Sequence, residues 1–421
     1  MSAPPGSTAA GEQALEIARR LLDPADILAA SPGDGSLGSG LAGTALLHGR
    51  LSATDPIFAA AAARHLKAAA ACTHRRPGGI FTGPGALATA LIIATPYLPD
   101  REPHHSTTAR ATAWLSKRAI DISARHQQAS APAAGTPWHV HDAITGLSGI
   151  GRTLLAAIAS DHIEAVPGLS AVLATLTAMI NNPVSATRPG WWVPAAARPA
   201  SGAAPLSGAA DTGAAHGIAG ALALLSLANS AGHTVPGQTS AIREAAQWLL
   251  RFRDPRSSTW PPYISGDELD RNARPTNAPG RRDAWCYGTP GIAAALILAG
   301  RALADRDLTS VGENAITALG HRPADTWDVT GPTLCHGHAG VLQAACRTRS
   351  RTTAANSAQA IAASFDPGLP FAIAHHTQHG HHENRPGFLT GAAGTALALA
   401  DYAQLPAAPV ATTWDAVLLL S

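Results

Sequence analysis

The sequence predicts an all-α protein, an α/α toroid in which a ring of seven inner helices is surrounded by seven outer ones, with a small non-helical or mixed segment inserted. Three observations predict it. A glycine-led motif recurs seven times along the 421 residues, each copy runs into an Ala/Leu-rich stretch, and the intervals between copies hold polar residues at helical spacing. Composition agrees with close helix packing, since the chain has 40 Gly but only 6 Phe, 4 Tyr and 2 Met. The chain is long enough to bury a large core and reads as a single toroid domain over 1–421.

The seven copies are SGLAGTALLHGRL from Ser39, TGPGALATALII from Thr82, TGLSGIGRTLLAAI from Thr145, HGIAGALALLSLA from His216, YGTPGIAAALILA from Tyr287, HGHAGVLQAAC from His336 and TGAAGTALALADY from Thr390. They lie roughly 43 to 71 residues apart, which leaves room for a second helix in each unit. The second copy has Gly83-Pro84-Gly85 where the other six have G-x-x-G, so a different turn is expected there. A residue without Cβ lets one backbone approach another closely, which predicts that the turns crowd around a central pocket at one end of the inner helices. The residues ahead of each inner helix then face that pocket: 37–39, Thr82, 142–145, His216, Cys286 and Tyr287, Cys335 and His336, and Thr390.

Candidate outer helices are 12–22, 58–73, 109–128, 240–252, 311–319 and 354–364, each with polar residues recurring at helical spacing. Residues 1–11 read as a flexible N-terminus. Residues 181–210, with many Pro and Gly and the pair Trp191-Trp192, read as an irregular or short-stranded insertion. A second Pro-rich connection, 254–282, leads into Trp285-Cys286.

A formal charge of +2 with 14% charged residues offers no concentrated basic stripe, so nucleic acid is not expected as a partner. The first residues lack a basic stretch followed by an apolar core, and a cytosolic location is expected, peripheral to a membrane at most through a complex. Apolar runs such as 292–298 fall well short of the ~20 residues a membrane span needs, so no insertion is expected. In a reducing compartment the four cysteines are candidates for metal ligation, thiol chemistry or core filling rather than disulfides.

Cys286, Cys335 and His336 occupy equivalent places in adjacent copies, so the toroid would bring them together. Two thiolates and an imidazole suit one Zn²⁺, and three protein ligands leave a fourth position open, as in a catalytic site. A lone buried cysteine is more often a core filler, and that reading stands for Cys72 and Cys346. His216 stands at the matching place in the fourth copy and Asp142 just ahead of the third; a histidine can transfer protons and a carboxylate orient it, although each alone could cap a helix start, which for an Asp ahead of a helix is the commoner role. Arg282 is placed to stabilise a developing enolate or hold a carbonyl, and Asp283 to anchor the site or to form a surface ion pair. The cluster HHTQHGHHEN from His375 reads as a solvated loop, and His338 has no assigned role.

The motifs RDAWCYGTPG from Arg282, CHGHAG from Cys335, AHGIAG from Ala215, HDAITGLSGIG from His141 and FLTGAAG from Phe388 resemble those of the lanthipeptide cyclases, the lanthionine synthetase C-like family, over about 37–402. The resemblance implies an α/α toroid with one zinc ion held by Cys286, Cys335 and His336, an acid/base histidine at His216, a catalytic aspartate at Asp142 and an active-site arginine at Arg282. It further implies a dehydrated precursor peptide as substrate, with a dehydratase and a transporter as partners. Rival readings are a zinc-dependent α/α-barrel enzyme that alkylates another thiol, a non-catalytic zinc scaffold, and an (α/α) glycosidase. An aromatic content of 5% disfavours a lipid pocket, the joint presence of His216, Asp142 and Arg282 disfavours a scaffold, and a single well-placed carboxylate disfavours a glycosidase.

Overall fold

The computed structural model describes residues 4–72, 78–128, 135–198, 205–272, 283–377 and 380–421. Two concentric layers of helices organise them. The inner layer is α3 (Leu41–Leu51), α5 (Gly83–Ala94), α8 (Leu147–Ile158), α10 (Ile218–Ser230), α13 (Thr289–Leu303), α15 (His338–Thr348) and α17 (Ala392–Tyr402). The outer layer is α1 (Ser7–Arg20), α4 (Pro56–Ala71), α6 (Glu102–Gln128), α9 (Val166–Asn181), α11 (Gln238–Phe252), α14 (Arg306–Gly320) and α16 (Arg351–Ala363). Three short helices, α2 (Pro24–Ala30), α7 (Trp138–His141) and α12 (Gly266–Asp270), lie in connections.

The two layers differ in sequence for a physical reason. Inner helices are enclosed on all sides, and every residue of α3 is buried, so a run without polar alternation is what the position requires. An outer helix buries one stripe. In α11 that stripe is Ala241, Ile242, Ala245, Trp248, Leu249 and Phe252, at helical spacing, with Arg243, Glu244 and Arg251 on the exposed side. Each inner helix packs on the next and α17 returns to α3, which closes the ring. In six units the outer helix follows its inner partner, whereas α17 is covered by α1 from the opposite end of the chain.

Main-chain hydrogen bonds tie the seven turns ahead of the inner helices into a closed circuit. Leu37 N donates to Phe81 O at 3.0 Å, Ile80 to Ile144 at 3.2 Å, Ala143 to Ala215 at 2.8 Å and Ala215 to Cys286 at 3.1 Å. Cys286 donates to Cys335 at 3.3 Å, Cys335 to Leu389 at 2.8 Å and Leu389 to Gly38 at 2.8 Å. The recurring second glycine of the motif has its own cause, the tightness of each turn against the start of its helix. A Cβ on Gly340 would sit 2.2 Å from the Leu334 carbonyl oxygen, and one on Gly85 would sit 2.0 Å from that of Gly79. The irregular second copy therefore keeps the glycine that matters for packing, at Gly85, while Gly83 takes a positive φ of 60°.

A segment near the C-terminus fills the centre of the inner ring. Trp414 and Leu418 are fully buried within a short 3-10 turn, Trp414–Leu418. Gln343 Nε2 donates to Asp415 Oδ2 at 2.9 Å, Arg347 Nη2 to Asp415 Oδ1 at 2.6 Å, and Arg152 Nε to the Ser421 carbonyl at 2.7 Å. Trp285 Nε1 donates to Leu418 O at 2.9 Å, so this plug also supports the back of the turn that carries Cys286.

The structure departs from the sequence expectations in three places and adds a strand pairing at a fourth, the insertion. Helix α1 begins at Ser7 rather than near residue 12, because Ala10 and Gly11 are buried, the latter against Ala403 and Leu405, and Tyr402 Oη donates to Pro5 O. Helix α9 has no counterpart among the expected outer helices, since its apolar composition lacks their polar pattern. By length and composition Ile163–Asn181 is apolar enough to cross a bilayer, yet it packs on α6, α8 and α11 with about half of that window, 56%, buried. In the region of the insertion, β1 (Ala209–Asp211) pairs antiparallel with β2 (Tyr263–Ser265) from the second Pro-rich connection, and Val193 bridges to Ala209. The histidine-rich stretch contains a short hairpin of β3 (His375–His376) and β4 (His382–Glu383), and His375 is buried rather than solvated.

Candidate functional site

The fifth and sixth turns bring the two thiols and the imidazole together. One donor atom from each of Cys286, Cys335 and His336 lies within 4.8 Å of the other two, and among the described residues this is the one group of three His, Cys, Asp or Glu side chains so arranged. Cys286 is buried, while Cys335 and His336 are partly exposed, so the group opens on one side. Local backbone fixes the second turn: Gly331 adopts a left-handed φ of 68°, Thr330 N donates to His336 O at 2.7 Å and His338 N to Gly331 O at 3.0 Å. Two soft sulfur donors with one imidazole fit Zn²⁺ and leave a fourth tetrahedral position for another ligand.

His216 and Asp142 form the second feature. His216 Nδ1 lies 2.7 Å from Asp142 Oδ2. The other carboxylate oxygen accepts from Thr145 N at 2.7 Å, Thr145 Oγ1 at 3.0 Å and Gly146 N at 2.6 Å. Asp142 therefore does not cap α8, which has no side-chain cap; one oxygen braces the turn ahead of the helix and the other meets His216. Because a carboxylate only accepts, the hydrogen of the pair sits on His216 Nδ1 and leaves Nε2 for a reacting group. The hydrogen bond from Ala215 N to Cys286 O seats His216 beside the thiol turn, and its ring lies 5.8 Å from that of Tyr287.

His216 also meets residues that the motifs did not mark. Trp138 stacks on it with ring centroids 4.8 Å apart and planes 25° from parallel. Trp138 Nε1 donates to Asp211 Oδ2 at 2.9 Å, and Asp211 accepts two hydrogen bonds from Arg198, at 2.6 and 3.0 Å. The Arg198 guanidinium lies 4.8 Å from the Trp138 ring centre and 5.5 Å from that of Tyr263. Burial pushes the Asp211 carboxyl above its ordinary range, with the Arg198 contacts working against the shift. An aromatic residue four positions ahead of Asp142 was the single sequence cue; Arg198 and Asp211 offered none.

Arg282 lies outside the described residues. Asp283 is buried, accepts from Arg322 at 2.6 and 3.1 Å and from Asp328 N at 2.9 Å, and so anchors the loop entering Trp285-Cys286. His338 packs against Trp327 at 5.7 Å, and burial lowers its pKa to about 4. His375 meets His336 edge-on at 5.4 Å and shares a 3.1 Å hydrogen bond with Thr333 Oγ1; burial, then Arg385, lowers its pKa to about 4.

A closed ring of paired helices with a thiol–imidazole group and an Asp–His pair on one rim has a counterpart among known proteins. The chain belongs to the lanthionine synthetase C-like family, whose description matches residues 31–419. It is similar to the nisin biosynthesis protein NisC of Lactococcus lactis subsp. lactis, 28% identical over 138 residues, a stretch that spans 32% of each chain. The solved structure of a nisin cyclase shares the fold, with a TM-score of 0.72 and 20% identity over 92% of both chains.

Proposed function

We propose that this protein is a lanthipeptide cyclase, which adds a cysteine thiol of a peptide to the β-carbon of a dehydroalanine or dehydrobutyrine in the same peptide and closes a lanthionine or methyllanthionine ring. The observation that carries this reading is the convergence of Cys286, Cys335 and His336 from two neighbouring turns, the first of which adjoins the turn of His216 and its partner Asp142. The donor set fits one zinc ion, which these three residues would hold. Zinc bound there supplies an open coordination position that lowers the pKa of an incoming thiol.

The remaining work falls to the chain's own residues. In the overall reaction the thiol gives up its proton, a carbon–sulfur bond forms at the β-carbon, the Cα=Cβ π bond breaks, and the α-carbon takes a proton, so mass is unchanged. His216 is the proton donor at the α-carbon, through Nε2, with Asp142 holding Nδ1 and stabilising the imidazolium. The His216 side chain is 26% exposed against 1% for Asp142, so the imidazole reaches substrate while its partner stays dry. Arg282, by its place in the RDAWCYG motif, is assigned to the carbonyl oxygen on which enolate charge develops.

The substrate is a precursor peptide already carrying dehydro residues, which a dehydratase must supply; a transporter is a further partner, and the expected location is the cytosol. Incubation with such a peptide, followed by alkylation of remaining thiols and mass spectrometry, tests the reaction. Thiols should disappear with time while mass stays constant; a thiol count equal to that of peptide alone ends the proposal.

A further inference from the structure

We propose that the cavity between α6 and α7 holds an acidic segment of the peptide substrate, with the guanidinium groups of Arg118 and Arg125 taking its carboxylates. The identity of the occupant rests on the cyclase reading above; the site rests on three observations. The first is the cavity itself, about 480 Å³, walled by Arg118, Arg125 and His126 of α6 and His139 of α7, with the apolar Ile122 and Val140 as its floor. Among the described residues no Asp or Glu lines it.

The second is positive charge without a counterion. Arg118 and Arg125 stand two helical turns apart on one face of α6, about 10 Å along its axis. Arg118 Nε is buried with no hydrogen-bond partner, and among the described residues no carboxylate forms an ion pair with either arginine. Asp121, the acidic group that acts on Arg118, pairs instead with Lys117 at 3.2 Å. Burial, then the charge of Arg125, lowers the pKa of Arg118. A buried N–H without an acceptor forfeits the hydrogen bond it made to water, and a carboxylate restores it in a bidentate pair through Nε and one Nη. The apolar floor suits aliphatic neighbours of the acidic residue. The third observation is the place of the cavity beside the catalytic turns. Thr145 lines it, and Thr145 N and Oγ1 donate to Asp142 Oδ1 at 2.7 and 3.0 Å. His139 and Val140 belong to the short helix whose Trp138 stacks on His216. A peptide anchored at the two arginines thus lies one short helix from His216, which makes delivery of its reacting residues an intramolecular event.

The test uses full-length protein as purified and a short rhodamine-labelled peptide of Glu, Ala and Leu, with Gln in place of Glu in a neutral counterpart; neither carries a thiol or a dehydro residue. Binding read by fluorescence anisotropy at low salt should favour the Glu peptide by about tenfold or more and weaken as salt is raised. R118Q/R125Q should lose about the same factor. R118K/R125K should keep part of it, because lysine retains the charge without the planar fork. R243Q/R251Q, the same change of charge on the exposed side of α11, should bind as wild type. In thiol-consumption assays of wild type the Glu peptide should inhibit competitively and the Gln peptide should not. Equal binding of the two peptides, undiminished binding in R118Q/R125Q, or an equal loss in R243Q/R251Q overturns the proposal, and a bound Glu peptide that leaves thiol consumption untouched shows that the occupant is not substrate. Inorganic phosphate that raises the melting temperature of wild type and not of R118Q/R125Q, with no preference between the peptides, makes the cavity a small-anion site and overturns it too. Because the binding measurements need no turnover, they stand apart from the cyclase reading, which fails separately if wild type consumes no thiols.

Discussion

The main-chain N–H of Cys286 donates to the carbonyl oxygen of Cys335 at 3.3 Å, locking two cysteines far apart in sequence at neighbouring stations of the closed circuit of turns. The register of the thiols is thus set by backbone, not by the metal they are assigned to hold. Replacing either sulfur should remove metal and leave the toroid intact. C286A and C335A should each lose stoichiometric zinc by elemental analysis and fall to the uncatalysed rate of thiol loss, with far-UV circular dichroism unchanged.

Asp142 uses its two oxygens differently, and substitutions can separate the uses. In D142N the side-chain carbonyl can still brace the turn, while its NH₂ faces His216 Nδ1 and can no longer stabilise the imidazolium from which Nε2 donates. Turnover should fall about 10²- to 10⁴-fold, with zinc content and melting temperature close to wild type. D142A should lose a similar factor and also about 1 kcal/mol of stability, from the lost hydrogen bonds to Thr145 and Gly146 in the turn. A D142N enzyme within a few-fold of wild type would remove Asp142 from the mechanism.

The tightness of the individual turns makes a stability prediction. G340A drives a methyl group to 2.2 Å from the Leu334 carbonyl and 3.1 Å from Trp285 Cβ, so it should cost about 1 to 3 kcal/mol in denaturant melts. In G38A the new methyl meets only Leu389 Cδ1, at 3.8 Å, and the change should be nearly neutral.

Two buried histidines between the first inner and outer helices make the fold acid-sensitive. Burial lowers the pKa of His48 to about 3 and that of His65 to about 4, with the remaining like-charge effects smaller. His48 Nε2 donates to Leu21 O at 2.9 Å, and His65 contacts Thr44 Oγ1 at 2.6 Å. A histidine kept neutral in the native state binds its proton more readily when unfolded. Stability is therefore complete above about pH 6.5 and is lost progressively as pH falls toward the native values near 3 and 4. The melting temperature should drop between pH 6.5 and 4, and H65Q should flatten that slope; an identical slope in H65Q would show that His65 does not contribute.

How much of this was legible in the sequence follows from what repeats. The equivalence of Cys286 with Cys335 and His336, and of His216 with both, is visible because each precedes the same glycine turn, and a closed ring of such turns brings the matching places together. Helix α9 escaped because an outer helix with few polar residues carries no amphipathic signature. The covering of α17 by α1, and the plug around Trp414 and Asp415, escaped because they join parts of the chain far apart in sequence, which no local pattern marks. Arg198 and Asp211 lie in or beside an insertion with no counterpart in the other units, so no internal comparison could mark them.

The central claim is the zinc site shared by Cys286, Cys335 and His336, and the zinc K-edge absorption spectrum of the purified protein tests it most directly. The account predicts one zinc per chain with two sulfur ligands and an imidazole nitrogen, and no sulfur-ligated zinc in C335A. A wild-type protein without zinc, or with zinc bound by oxygen and nitrogen alone, would contradict it.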